Sequence, residues 1–171
     1  PKPRGRNTIN LMFGRMKTMF LWSIVHEYTN NNPFNKFDVG ECVYGTPYYI
    51  SLDERNKIAE TDLSGFPKLA ISRDIFVFQC LIGCRVGDLW EMKNNNIING
   101  AVEYIARKTR DGRPVTIRVP LNTKAKKILT RYKGKDTDPL FPFPSQQMYN
   151  YDIKDIFGLS GITRIVTILN P

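Results

Sequence analysis

Histidine and cysteine, on which most metal sites and many nucleophilic active sites depend, are scarce in this sequence. Among 171 residues there is one histidine, His26, and there are three cysteines, Cys42, Cys80 and Cys84. Cys80 and Cys84 are spaced to share a helix face, but no histidine or further cysteine stands nearby to complete a metal site. We therefore expect no metal site, and we interpret the cysteines as reduced, buried thiols and His26 as a packing residue.

Hydrophobic runs long enough to cross a bilayer are also lacking. The most apolar stretch begins at Ile75 and lasts only ten residues or so, whereas a membrane-spanning helix needs about 20. We find no signal peptide and expect no association with membranes. The length of the chain predicts one ordinary domain, or one domain with a piece of another, and it allows a sizeable core without disulfides.

Acidic residues are few, and the imbalance of charge is concentrated in one region. The sequence has 25 Lys and Arg against 16 Asp and Glu, which gives a net charge of +9. Between Lys93 and Lys135 there are twelve basic residues and only two acids, Glu103 and Asp111, a local excess of ten positive charges. A continuous basic region of this kind favours a polyanionic partner, most often nucleic acid.

An apolar segment that contains one arginine, Ile75–Trp90, organises the rest of the chain. Its residues are apolar on nearly every side and predict a buried helix from about Leu69 to Gly83. Arg85 follows at the turn made by Gly83 and stays charged in any surroundings, so it must meet a carboxylate, a phosphate or water. Asp88 lies within its reach if a helical turn begins there, so one alternative is an Arg85–Asp88 pair that only holds two helices together.

The remaining patterns predict an α+β fold, mainly helical, with a small three-stranded antiparallel β-sheet. Two further helices are predicted before the apolar segment: Asn7–Tyr28, capped by Asn7 or Thr8, and Leu52 to about Asp62, which follows a capping box at Ser51. Three are predicted after Arg85: Val86–Met92, a helix that is capped by Asn122 or Thr123 and runs to about Tyr132, and Ser145–Phe157, which Gly158 stops.

The sheet is predicted from a change of period after Met92. Asn99-Gly100 between β-forming residues indicates a tight hairpin, and Val115–Pro120 alternates as a strand. The basic turn between the second and third strands carries Lys108. The last residues, Gly161–Pro171, have the pattern of an extended segment.

Three motifs in this order resemble the tyrosine recombinase (phage integrase) family, particularly integrases of bacterial mobile elements. They are Gly83-Cys84-Arg85-Val86-Gly87-Asp88-Leu89, then Lys108-Thr109 in a β-turn, then Val119-Pro120-Leu121-Asn122 at the entry to a helix. The resemblance covers nearly the whole chain. It implies that residues 1–32 are the last helix of an N-terminal core-binding domain, 33–48 a linker, and 49–171 the N-terminal part of a catalytic domain.

The resemblance implies that Arg85 is the first catalytic arginine, that Lys108 is the lysine of the β-turn and that Asp88 supports Arg85. A guanidinium can bind two phosphate oxygens as negative charge develops on them, and an ammonium can protonate the departing 5′-hydroxyl. The same resemblance implies no cofactor, double-stranded DNA as partner, a tetramer on DNA and a cytoplasmic, nucleoid-associated location in bacteria. The basic side chains expected to contact DNA are Arg107, Arg110, Arg113, Lys124 and Lys127.

The family's His-x-x-Arg box, its third His or Trp and its nucleophilic tyrosine do not appear in the sequence. We therefore interpret the chain as part of an enzyme that cuts and rejoins DNA through a 3′-phosphotyrosine intermediate, inactive on its own, and we nominate neither Tyr149 nor Tyr151 as the nucleophile. One alternative is a non-enzymatic basic DNA-binding module. An RNA-associated protein in which Tyr104 stacks on bases ranks last, because paired aromatic residues typical of such sheets are missing.

Overall fold

The structure, a computed structural model, describes residues 5–45, 47–132 and 138–166. The described residues of Ile50–Arg164 form one compact unit, and the described residues before Ile50, with Ile165 and Val166, form another. As predicted, the described part of the chain is α+β, with six α-helices and one three-stranded antiparallel sheet. None of the described helices is long and apolar enough to cross a membrane.

The helices and strands of the described residues are numbered in chain order. They are α1 (Arg6–Val25), α2 (Leu52–Glu60), α3 (Pro67–Ile82), α4 (Val86–Glu91), β1 (Ile97–Ile98), β2 (Ala101–Ile105), β3 (Thr116–Pro120), α5 (Thr123–Tyr132) and α6 (Gln146–Leu159).

Helix α1 of the first unit buries none of its residues. Its apolar face contacts the segment that follows: Phe13 lies 5.0 Å from Phe37 and Phe20 lies 5.9 Å from Phe34, between ring centroids. The predicted cap by Asn7 or Thr8 is wrong, because Gly5 occupies the cap position without a side-chain hydrogen bond.

The predicted end of α1 at Tyr28 is also wrong. Glu27 adopts a left-handed conformation with φ 59°, and the N–H groups of Glu27 and Tyr28 donate to the carbonyls of Ile24 and Ser23. This hydrogen-bonding pattern usually requires glycine, so the sequence contains no signal for it.

The core of the second unit is built around α3, as the apolar segment predicts. Ile75 and Phe78 of α3 are fully buried, and the helix packs against α2, α5 and α6. Gly83 ends the helix in the left-handed conformation, with φ 67°. A residue with a side chain would be strained in this conformation. The capping box predicted at Ser51 is present at the start of α2.

The sheet has the predicted topology. β1, β2 and β3 pair antiparallel in chain order, and Asn99 and Gly100 both have positive φ, 48° and 74°. Two successive positive φ angles define the type I′ turn expected of Asn-Gly. The connection from β2 to β3 begins with a short 3₁₀ turn, Arg107–Thr109, which contains Lys108.

The two last predicted helices form, with one correction. Asn122 caps α5 by accepting from the N–H of Ala125, and Gly158 lies inside α6 instead of stopping it. The stop is Gly161, with φ 65°, because only there does the backbone need a left-handed residue. Residues 162–166 form no strand, and the rest of the predicted extended segment, 167–171, lies outside the described residues.

Candidate active site

Arg85 occupies the cap position of α4, where the chain leaves the buried end of α3. Its backbone is extended (φ −72°, ψ 146°), and its carbonyl accepts hydrogen bonds at 3.0 Å from the N–H groups of both Asp88 and Leu89. The guanidinium is exposed and has no hydrogen bond or ion pair to any described residue. The backbone is therefore fixed while the side chain remains available.

The predicted Arg85–Asp88 pair is absent from the described residues, and Asp88 has a different partner. Asp88 is buried, and its Oδ1 accepts a hydrogen bond from the backbone N–H of Arg107 at 2.9 Å. Its Oδ2 is buried with no hydrogen-bond partner among the described residues. The expected pair does not form because Arg85 precedes helix α4, so the i,i+3 geometry of a continuous helix does not apply to it. Asp88 instead holds the turn that carries Lys108.

Glu91, the last residue of α4, forms ion pairs with two arginines of the same connection. Its Oε1 lies 3.4 Å from Nη1 of Arg107, and its Oε2 lies 3.2 Å from Nη2 of Arg110. The two arginines that flank Lys108 thus share one carboxylate. Sequence spacing gives no indication of this contact, because the partners are on different elements.

Arg85 and Lys108 are brought together by these contacts. Both side chains line one open surface pocket of about 490 Å³, with Val86, Gly87, Asp88 and Arg107 completing its wall. Lys108 is exposed. A pocket with an arginine and a lysine at its mouth is suited to bind one phosphate group, because the guanidinium presents a fork of N–H donors and the ammonium a mobile donor.

Burial raises the pKa of two acidic groups that lie near Asp88, those of Cys84 and Tyr104. It raises the pKa of the Cys84 thiol to about 12, and the negative charge of Asp88 adds to this effect. It also raises the pKa of Tyr104, with smaller contributions from Cys84 and Asp88. Since a thiol with such a pKa is protonated at neutral pH, Cys84 is no nucleophile. Among the described residues, no group of three or more His, Cys, Asp and Glu side chains could hold a metal ion.

The residues predicted to contact DNA are all exposed, but they do not form one cluster. Arg107 lines the Arg85 pocket, and Arg110 lines a second pocket to which Asp88 also contributes. Arg113 lies further along the β2–β3 connection, without a partner among the described residues. Lys124 and Lys127 lie on the outer face of α5, where Lys124 Nζ donates to Asn56 Oδ1 at 3.0 Å.

Comparison with known proteins reveals similarity in structure alone. The chain matches no protein-family model, and no curated protein matches it in sequence. Among solved structures, a DNA-bound fragment of lambda integrase is 20% identical with a TM-score of 0.66, over 91% of this chain and 57% of that one. A lambda integrase tetramer bound to a Holliday junction is 20% identical with a TM-score of 0.64, over 95% and 48%. XerA recombinase is 22% identical with a TM-score of 0.51, over 72% and 47%.

The chain thus spans about half the length of the solved recombinases that it resembles. The protein has the fold of the tyrosine recombinases, the phage integrase family.

Proposed function

We propose that the chain is part of a site-specific DNA recombinase that cuts and rejoins DNA through a 3′-phosphotyrosine intermediate. The observation that carries this proposal is the convergence of Arg85 and Lys108 on one open pocket. Structural similarity alone would support a fold without an activity. Two separate cations at one pocket, on a basic surface, support phosphoryl transfer on DNA.

In this proposal Arg85 binds the non-bridging oxygens of the scissile phosphate. When a tyrosine hydroxyl attacks the phosphorus, these oxygens gain negative charge, and a guanidinium can donate to two of them at once. Lys108 lines the same pocket and donates a proton to the 5′-oxygen as the P–O bond to it breaks. Asp88 is a positioning residue, because it holds the backbone at Arg107, directly before Lys108.

The attacking tyrosine is proposed to lie outside residues 1–171. Of the two tyrosines of α6, Tyr149 is unsuited to the role because it is buried, packs against Phe143 and donates to Gln79 Oε1 at 3.4 Å. Burial also raises the pKa of its hydroxyl well above the usual range. A hydroxyl enclosed in the core cannot reach a phosphate on the surface. Tyr151 is 53% exposed, so for that residue the proposal depends on the missing His-x-x-Arg box and not on burial. We further propose that the residues before 33 belong to a core-binding domain and that the complete enzyme acts as a tetramer on double-stranded DNA.

The first test is DNA binding by the chain itself. We expect binding to duplex DNA with little sequence preference, which weakens steeply as salt rises, because the excess of ten positive charges between Lys93 and Lys135 releases condensed counterions. Fluorescence anisotropy of a labelled duplex over a series of salt concentrations measures the slope. A flat salt response, or no binding at low salt, would contradict the proposed function.

The second test concerns Lys108 in an active recombinase that contains this chain. Lys108→Ala should leave DNA affinity within about twofold and lower the cleavage rate by about 10²–10⁴, the usual contribution of a general acid. A substrate with sulfur in place of the 5′-bridging oxygen should restore cleavage, because a thiolate leaves without a proton. Lys68→Ala is the control, because Lys68 is an exposed lysine of α3 that is outside the pocket and is not among the residues expected to contact DNA, and this variant should cleave normally. If the sulfur substrate does not rescue Lys108→Ala, the lysine is not the general acid.

A further inference from the structure

The Glu91 carboxylate forms ion pairs with both Arg107 and Arg110, the arginines on either side of Lys108. Each carboxylate oxygen contacts a different guanidinium, Oε1 that of Arg107 and Oε2 that of Arg110. A DNA phosphate would offer the same two groups a pair of negatively charged oxygens. Glu91 therefore stands in the position where a backbone phosphate would be bound by these arginines.

These ion pairs are exposed enough to be exchanged. The side chains of Glu91, Arg107 and Arg110 are 48%, 65% and 51% exposed. Ion pairs in such surroundings contribute little to stability, so a phosphate can displace the carboxylate. The charge of Glu91 also lies at the C-terminal end of α4, where a negative charge does not stabilise its own helix.

The two acids within the basic region Lys93–Lys135 have different surroundings from Glu91, which lies just before it. Glu103 faces Arg118 across the paired strands β2 and β3, with Nε and Oε1 3.5 Å apart. Asp111 is exposed on the β2–β3 connection and has no partner among the described residues. Asp111 carries the same charge as Glu91 and lies close to Arg110 in the chain, but it forms no ion pair with an arginine among the described residues.

We propose that Glu91 acts as an internal competitor of DNA phosphate for Arg107 and Arg110, and so lowers the affinity of the protein for DNA. The inference rests on the proposed function in that DNA is the polyanion bound. The turn itself keeps its second anchor, the Asp88 carboxylate on the backbone of Arg107, when Glu91 is removed. Loss of the Glu91 charge therefore frees two guanidinium groups without releasing the turn from α4.

The test is the DNA affinity of Glu91→Gln in the 171-residue chain, measured with a labelled duplex over a series of salt concentrations. We expect affinity at low salt to rise about three- to tenfold, as two exposed ion pairs no longer compete. The dependence of log K on log salt should steepen by up to about 2, because two more phosphates are contacted. Asp111→Asn is the matched control and should change affinity by less than about twofold, since it removes the same charge but frees no arginine.

A second experiment, in a variant that lacks both arginines, tests whether the effect of Glu91 acts through them. In Arg107→Ala/Arg110→Ala the further change Glu91→Gln should have no more effect than Asp111→Asn, because no arginine remains to be released. Thermal melting of each variant should match the parent, since all of these side chains are exposed.

Two outcomes would overturn the inference while the proposed function stands: a gain for Glu91→Gln no larger than for Asp111→Asn, or a gain that persists without the two arginines. Failure of the unmodified chain to bind DNA at low salt would contradict the proposed function and this inference together.

Discussion

Replacement of Arg85 by alanine or by lysine is expected to lower DNA cleavage by about 10²–10³ in an active recombinase that contains this chain, the usual cost of losing one donor to a developing oxyanion. Alanine removes the cation. Lysine keeps the charge but not the planar fork of donors that binds two oxygens together, so it should not restore the rate. Single-turnover cleavage of a labelled duplex under saturating protein measures the effect on the chemical step.

Folding should not confound this result. The Arg85 guanidinium is exposed and makes no hydrogen bond or ion pair with any described residue, so both variants should melt at the parent temperature. Arg118→Lys is the matched control, because Arg118 is a 56% exposed arginine outside the pocket and is not among the residues expected to contact DNA, and this variant should cleave at the parent rate. Cleavage by Arg85→Lys within about tenfold of the parent would mean that charge alone suffices, and would contradict the bidentate role assigned to Arg85.

The sequence predicted the elements that position the site, because their signals are local. Gly83 ends α3, Asn99-Gly100 makes the hairpin, and a basic turn with Lys108 separates the second and third strands. Each depends on residues adjacent in the chain and on backbone conformations that few residue types allow. Arg85 therefore lies just after the end of α3, as predicted, and Lys108 lies in the connection between β2 and β3, although in a short 3₁₀ turn where the resemblance implied a β-turn.

The contacts between elements could not be predicted in the same way. Asp88 is three residues from Arg85, but its carboxylate meets the backbone of Arg107, 19 residues away. Glu91 reaches the two arginines around Lys108, at a similar separation in sequence. The i,i+3 rule describes neighbours within one helix. Since α4 begins only after Arg85, the rule did not apply to Arg85 and Asp88.

The largest omission of the sequence analysis is Asp74, a carboxylate in the middle of the buried helix α3. It is only 4% exposed, and its oxygens accept hydrogen bonds from the guanidinium groups of Arg73 and Arg131 and from the Tyr132 hydroxyl, at 2.9–3.2 Å. Arg131 and Tyr132 lie on α5, 57 and 58 residues further along the chain. Since nothing local marks these partners, the apolar surroundings of Asp74 concealed a polar link between α3 and α5.

Asp74→Ala is expected to lower the free energy of unfolding by about 3–5 kcal/mol, because it leaves a largely buried cation without its carboxylate. The Arg73 side chain is 14% exposed, so water cannot fully replace the lost partner, whereas Arg131 is 56% exposed and can be rehydrated. Asp74→Asn keeps the shape and one acceptor oxygen and should lose less. Glu103→Ala is the control: it removes a carboxylate from a pair whose arginine is 56% exposed, which should cost about 1 kcal/mol or less. Urea titration followed by circular dichroism measures all three. An equal, small loss for Asp74→Ala and Glu103→Ala would show that the α3–α5 link contributes no more than a surface ion pair.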